Sequence, residues 1–108
     1  MATQKSSPQI EEVAKRVNER AGGGRVIFVS GNFNIIHPEH LRLINFARTC
    51  GDFLVVGLFK DTEPGVVLPD DIREESLLSL EAVSEVVQIT QAELVGFLEM
   101  LKPYAVVK

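Results

Sequence analysis

Seven consecutive residues, Phe53-Leu54-Val55-Val56-Gly57-Leu58-Phe59, carry no polar side chain. An apolar run of this length reads as a strand covered on both faces, which is the mark of a parallel sheet held between helical layers. A second such run, Val26-Ile27-Phe28-Val29, gives a first strand at about Arg25–Ser30. Strands that alternate with helices imply a doubly wound α/β domain, and the rest of the chain supplies that alternation.

Ser7 reads as an N-cap with Pro8 at the first helical position, after a polar Met1–Ser7 start expected to be loose. Ile10, Val13, Ala14, Val17 and Ala21 then line one face of a helix that stops at Gly22-Gly23-Gly24. A second helix is expected from near Pro38, carrying Leu41, Ile44, Ala47 and Phe46 inward. It would end at Cys50-Gly51, with the glycine as a left-handed cap. Lys60–Ile72 reads as a polar loop, Arg73–Val83 as a third helix and Glu85–Ile89 as a short strand. Thr90 and Glu93 have capping-box spacing and open a fourth helix through Leu101. Pro103 bars its continuation, and Tyr104–Val107 looks like a last strand.

A chain of 108 residues suits one domain that can bury a real core. Its net charge of −4 argues against a broad nucleic-acid or acidic-membrane surface. Cys50 is the single cysteine, so no internal disulfide forms, which fits a reducing cytoplasm. No apolar run approaches membrane-spanning length, and the start lacks the apolar block of a signal peptide.

The chemistry concentrates in Gly31-Asn32-Phe33-Asn34-Ile35-Ile36-His37-Pro38-Glu39-His40. A strand runs into a glycine turn, and two histidines three apart share a face in the first turn of a helix. Backbone N–H groups without a helical partner lie beside them, so the segment suits an anion, phosphate above all. From the residues alone the pair reads more readily as surface helix histidines than as a site. His37, Glu39 and His40 cannot all face one ion, so no metal site is expected from them. Cys50 reads as a small buried apolar residue. Asp70-Asp71 and Glu74-Glu75 read as solvated charge, Lys102 and Lys108 as exposed lysines, and Leu77, Leu78, Leu98 and Leu101 as core or interface.

The segment Val29-Ser30-Gly31-Asn32-Phe33-Asn34-Ile35-Ile36-His37-Pro38-Glu39-His40-Leu41-Arg42-Leu43-Ile44 resembles the signature of the HxGH nucleotidyltransferases of the cytidylyltransferase-like group, a strand, a G-x-F-D turn and H-x-G-H opening a helix. The similarity continues through Phe46-Ala47-Arg48 and Gly51-Asp52-Phe53-Leu54-Val55-Val56-Gly57. It resumes at Arg73, Leu80, Val83, Val86-Val87 and Leu101–Lys108. The domain is similar to those of ADP-heptose synthase and glycerol-3-phosphate cytidylyltransferase. The resemblance implies a three-layer Rossmann-like sheet over residues 25–108, with residues 1–24 as an extra tail and helix, in the N-terminal part of a longer chain. It implies transfer of AMP or CMP from ATP or CTP to a phosphorylated sugar or polyol, with pyrophosphate released, Mg²⁺ as cofactor and a cytoplasmic homodimer as the working form. His37 and His40 would be catalytic, stabilising charge on the α-phosphate. Ser30, Gly31, Asn32, Phe33, Asn34, Lys60 and Arg73 would face the nucleotide or phosphates, Arg73 being equally readable as a surface helix start.

The chain departs from that signature in three places. Glu39 stands where the family has glycine, and a like charge about 4 Å from a phosphate costs roughly 1–4 kcal/mol. Asn34 replaces the usual aspartate. The loop from Lys60 to Ile72 offers only Lys60 where the family supplies further lysines. An alternative reading follows from them: a catalytically silent nucleotide-binding or dimerisation domain of a larger protein, one fused to a sugar kinase among the options.

Overall fold

A computed structural model describes residues 8–107; the Ser7 cap, the Met1–Ser7 start and Lys108 lie outside them. The element order is α1 (Pro8–Ala21), β1 (Val26–Gly31), α2 (Pro38–Thr49), β2 (Phe53–Phe59), α3 (Asp70–Leu78), β3 (Glu85–Ile89), α4 (Gln91–Leu101) and β4 (Ala105–Val106). The four strands form one parallel sheet in the order β3-β2-β1-β4. The expected doubly wound architecture is therefore present.

Period-two alternation along the strands builds two cores. Val26, Phe28, Val55, Val87 and Ile89 face one side, where Ile10, Ala14 and Val17 of α1 and Phe97 and Leu101 of α4 cover them. Ile27, Val29, Leu54, Val56 and Leu58 face the other, under Ile44 and Ala47 of α2 and Leu77 of α3. Helix α1 is thus part of the main core. It is also clamped electrostatically: buried Glu85 on β3 receives Arg16 at 2.9 Å and Arg20 at 3.1 Å.

Several expectations need correction. Phe46 points outward and is 61 % exposed, because it lies two residues, or about 200° of helix, from buried Ile44. Helix α3 begins at Asp70 and ends at Leu78. The chain then leaves through turns closed by Leu80 N–H to Leu77 O and Val83 N–H to Leu80 O, which put Val83 into the core. Leu78 is half exposed. Asp70 is only partly solvated, since its carboxylate accepts from Arg73 and from Asp61 N–H. Glu74 accepts from Gln88 at 2.7 Å. Cys50 is half-buried.

Gly51 is not a left-handed cap either; positive φ among the described glycines falls at Gly22, Gly23 and Gly65. A Cβ on Gly51 would meet Ile27 Cγ1 at 2.6 Å and Arg25 O at 2.7 Å, so glycine is needed there for close approach. Next to it, Asp52 accepts Arg25 N–H at 2.8 Å. That backbone donor holds the Asp52 carboxyl below the ordinary carboxylate range. A depressed carboxylate adds stability above its unfolded value, near 3.9, and loses it as pH falls through the folded value. Asp52→Asn should accordingly melt earlier than the parent at pH 7, the difference shrinking as pH falls through the folded value. Equal melting at pH 7 would mean that the charge on Asp52 contributes nothing.

Candidate functional site

The strand order reverses beside β1, with β2 on one flank and β4 on the other. In open α/β sheets ligands bind at such switch points, beyond the carboxyl ends of the strands. Ser30 and Gly31 end β1 there, and residues 32–37 lead into α2.

His37 is the N-cap of α2, in an extended conformation, with Pro38 opening the helix. Its Nδ1 accepts Glu39 N–H at 3.3 Å, and the His40 Nδ1 lies 3.5 Å from His37 N–H. This is a capping box made of two histidines, satisfying backbone donors that serine and glutamate usually serve. The rings stack with centroids 3.9 Å apart and 31° between planes. With each Nδ1 turned to the backbone, the Nε2 of each ring is the nitrogen left for an incoming group. Of the backbone donors expected to face an anion, Pro38 has none and Glu39's is taken by His37.

Phe33 fixes the other side of His40. Its backbone is left-handed (φ 48°), its side chain is buried, and its ring meets His40 edge-on at 5.3 Å. A Cβ at Gly31 would lie 3.0 Å from that ring.

Arg73 is neither a surface helix start nor an exposed ligand. It is 1 % exposed and sits on the fourth residue of α3. Its Nε donates to Leu68 O at 2.8 Å, its Nη1 to Asn32 O at 2.7 Å and its Nη2 to Asp70. The guanidinium therefore ties the β1–α2 turn to the β2–α3 loop. Asn34 makes a second tie: its Nδ2 donates to Gly65 O at 2.8 Å, and its Oδ1 accepts Val67 N–H at 2.8 Å and Leu68 N–H at 3.4 Å. Gly65 meets these demands with positive φ (85°) and with no Cβ to strike Asn32 Nδ2, which one would approach to 2.9 Å.

The structure thus brings Ser30, Gly31, Asn32, Phe33, Asn34, His37, His40 and Arg73 to one edge of the sheet. Lys60 follows β2 at the same carboxyl edge but towards β3, where its N–H donates to Ile89 O at 3.1 Å, and it lines a groove of about 370 Å³ with Ile10, Arg16, Glu74, Gln88 and Glu93. Sequence reasoning missed Gly65, Leu68 and Asp70 as partners of the site. The acid–base spacing of Asp70 and Arg73 was the one local signal available. Glu39 is exposed in the first turn of α2. Among the described residues no group of three or more His, Cys, Asp or Glu could hold a metal ion. No helix among them is long and apolar enough to cross a membrane.

Comparison with known proteins adds four findings. The sequence model of the cytidylyltransferase-like family matches residues 28–108. The chain is 35 % identical over 111 residues to the bifunctional protein HldE of Sulfurimonas denitrificans, covering 96 % of this chain and 23 % of that protein. It is 38 % identical over 105 residues to the bifunctional protein HldE of Bradyrhizobium sp., covering 90 % and 21 %. The chain therefore spans about a quarter of the length of these relatives. In fold it is similar to the lipopolysaccharide core biosynthesis protein of Thermoplasma volcanium, with a TM-score of 0.72, 19 % identity, and 78 % of this chain and 73 % of that one covered.

Proposed function

Because the chain belongs to the cytidylyltransferase-like family, we propose that it forms the nucleotide side of a nucleotidyltransferase that moves AMP or CMP from ATP or CTP to a phosphorylated sugar or polyol. The observation that carries this reading is the stacked His37–His40 pair at the carboxyl edge of β1. An acceptor phosphate oxygen attacks the α-phosphorus in line, a new P–O bond forms, and the bond to the β-phosphate oxygen breaks to release pyrophosphate. Charge develops on the α-phosphate oxygens, where N–H donors at the two Nε2 positions stabilise it. Such transfer depends on positioning and preorganised donors rather than on a covalent nucleophile. Mg²⁺ would arrive with the triphosphate and offset its charge, since the ion commonly binds through substrate phosphates.

Residues 25–108 serve as the transferase unit, α1 is its added cover, and a cytoplasmic homodimer is the working form in this proposal. The HldE relatives are bifunctional by name, which supports a place for this chain within a larger two-activity protein.

Glu39 supports a second reading, a silent domain, because it sets a carboxylate in the helix turn that would meet the phosphates. The chain titrated with ATP or CTP plus Mg²⁺ should show backbone amide shifts confined to 31–41, saturating with one nucleotide. Glu39→Gly should tighten that binding by about fivefold, the worth of one like charge near 4 Å in a water-exposed place. No shift in either protein at about 1 mM nucleotide, a binding free energy of roughly 4 kcal/mol, would leave the silent reading standing.

A further inference from the structure

Phe33 holds a left-handed backbone that a bulky side chain keeps only when its surroundings over-determine it. Both of its neighbours are held from across the site. Asn32 gives its carbonyl to buried Arg73, and Asn34 spans to Gly65, Val67 and Leu68, more than thirty residues away. The ring thus fixed lies edge-on to His40 at 5.3 Å. We propose that Asn34 is a positioning residue: its carboxamide clasps the β2–α3 loop, locks the turn at Phe33, and so sets where His40 stands. The consequence for transfer rests on the reading of His37 and His40 as the phosphate-facing pair.

The chemistry of the clasp is that of an amide. Two N–H groups point at Oδ1 and one carbonyl at Nδ2, so a single orientation satisfies all three. An ionised aspartate has no donor to give Gly65 O and would set a charged oxygen against it. The tie to Gly65 is therefore particular to an asparagine at this position.

The test compares the isotopically labelled chain with Asn34→Ala and Asn34→Asp by NMR in the absence of nucleotide. Amide exchange at Val67 and Leu68 should quicken roughly tenfold in Asn34→Ala, the effect of losing one ordinary hydrogen bond. In both variants the His40 ring protons, now beside the edge of Phe33, should move towards their values in an unstructured peptide, along with the amides of 37–41. Loop amides that quicken while the His40 ring signals stay in place would overturn the proposal, leaving Asn34 a loop tie and nothing more. Unchanged exchange and unchanged ring signals would overturn it as well. Asn34→Ser, which cannot span both partners, replaces either variant that fails to fold. Neither readout uses a nucleotide, so failure here is distinct from failure of the transferase reading.

Discussion

Arg73→Ala should lower the folding free energy by about 3–5 kcal/mol, a large share of the 5–15 kcal/mol expected of a domain this size. The reason lies in what the guanidinium leaves behind. Asn32 O and Leu68 O would lose their donors, at about 1–3 kcal/mol for each carbonyl that water cannot reach. Asp70, whose side chain is 24 % exposed, would keep a charge with no counter-charge beside it. Arg73 is among the largest fully buried side chains, so its truncation also opens a cavity. Arg73→Lys should recover only part of the loss, because an ammonium can pair with Asp70 but lacks the planar fork that reaches three acceptors. Adding Asp70→Ala to Arg73→Ala should restore some stability by removing the stranded charge. Urea unfolding followed by circular dichroism measures each variant. A loss under about 1 kcal/mol for Arg73→Ala would place it among ordinary surface changes and show that the two loops hold together without it.

What the sequence made legible were features with local causes. The apolar run gave β2 its observed bounds, Phe53–Phe59, and the β3 bounds, Glu85–Ile89, also match. Thr90 and Glu93 form the expected reciprocal cap, with Glu93 N–H to Thr90 at 3.2 Å and Thr90 N–H to Glu93 at 3.0 Å. The histidine pair could be located because its face-sharing follows from helix geometry over three residues. Arg73 could not be read in this way. Arginine is a surface residue unless its donors are met, and two of its acceptors are backbone carbonyls, one of them in a turn 41 residues away. The same holds for Asn34, whose partners lie at separations of 31–34 residues. Helix α3 was placed late because Pro69 caps it without any side-chain hydrogen bond, leaving no cap signature to read. The resemblance supplied the family, which the match over 28–108 bears out. It carried no information about which side chains hold one another.

On the proposed transferase reading, His40→Ala should lower kcat for nucleotidyl transfer by about 10²–10³-fold, with a much smaller change in nucleotide affinity. His40 is fixed on three sides, by the Phe33 ring, the His37 ring and its approach to His37 N–H. A donor held so firmly needs little reorganisation when charge appears on the α-phosphate, so its contribution falls on the transition state and therefore on kcat. His37→Ala should show a different pattern. It removes the cap on Glu39 N–H as well as a donor, so a stability loss of about 1 kcal/mol should accompany its kinetic loss. Pyrophosphate release, measured in a protein containing the whole transferase and a phosphorylated acceptor, reads both effects. A loss below about tenfold in His40→Ala would be smaller than one positioned donor supplies and would remove His40 from catalysis, whereas no pyrophosphate release by the unsubstituted protein would favour the silent domain. The double variant decides how the pair works. Stacked rings that cap the same turn act as a unit, so removing both should cost little more than removing His40 alone. Losses that multiply would instead mean that each histidine meets the phosphate through its own independent contact.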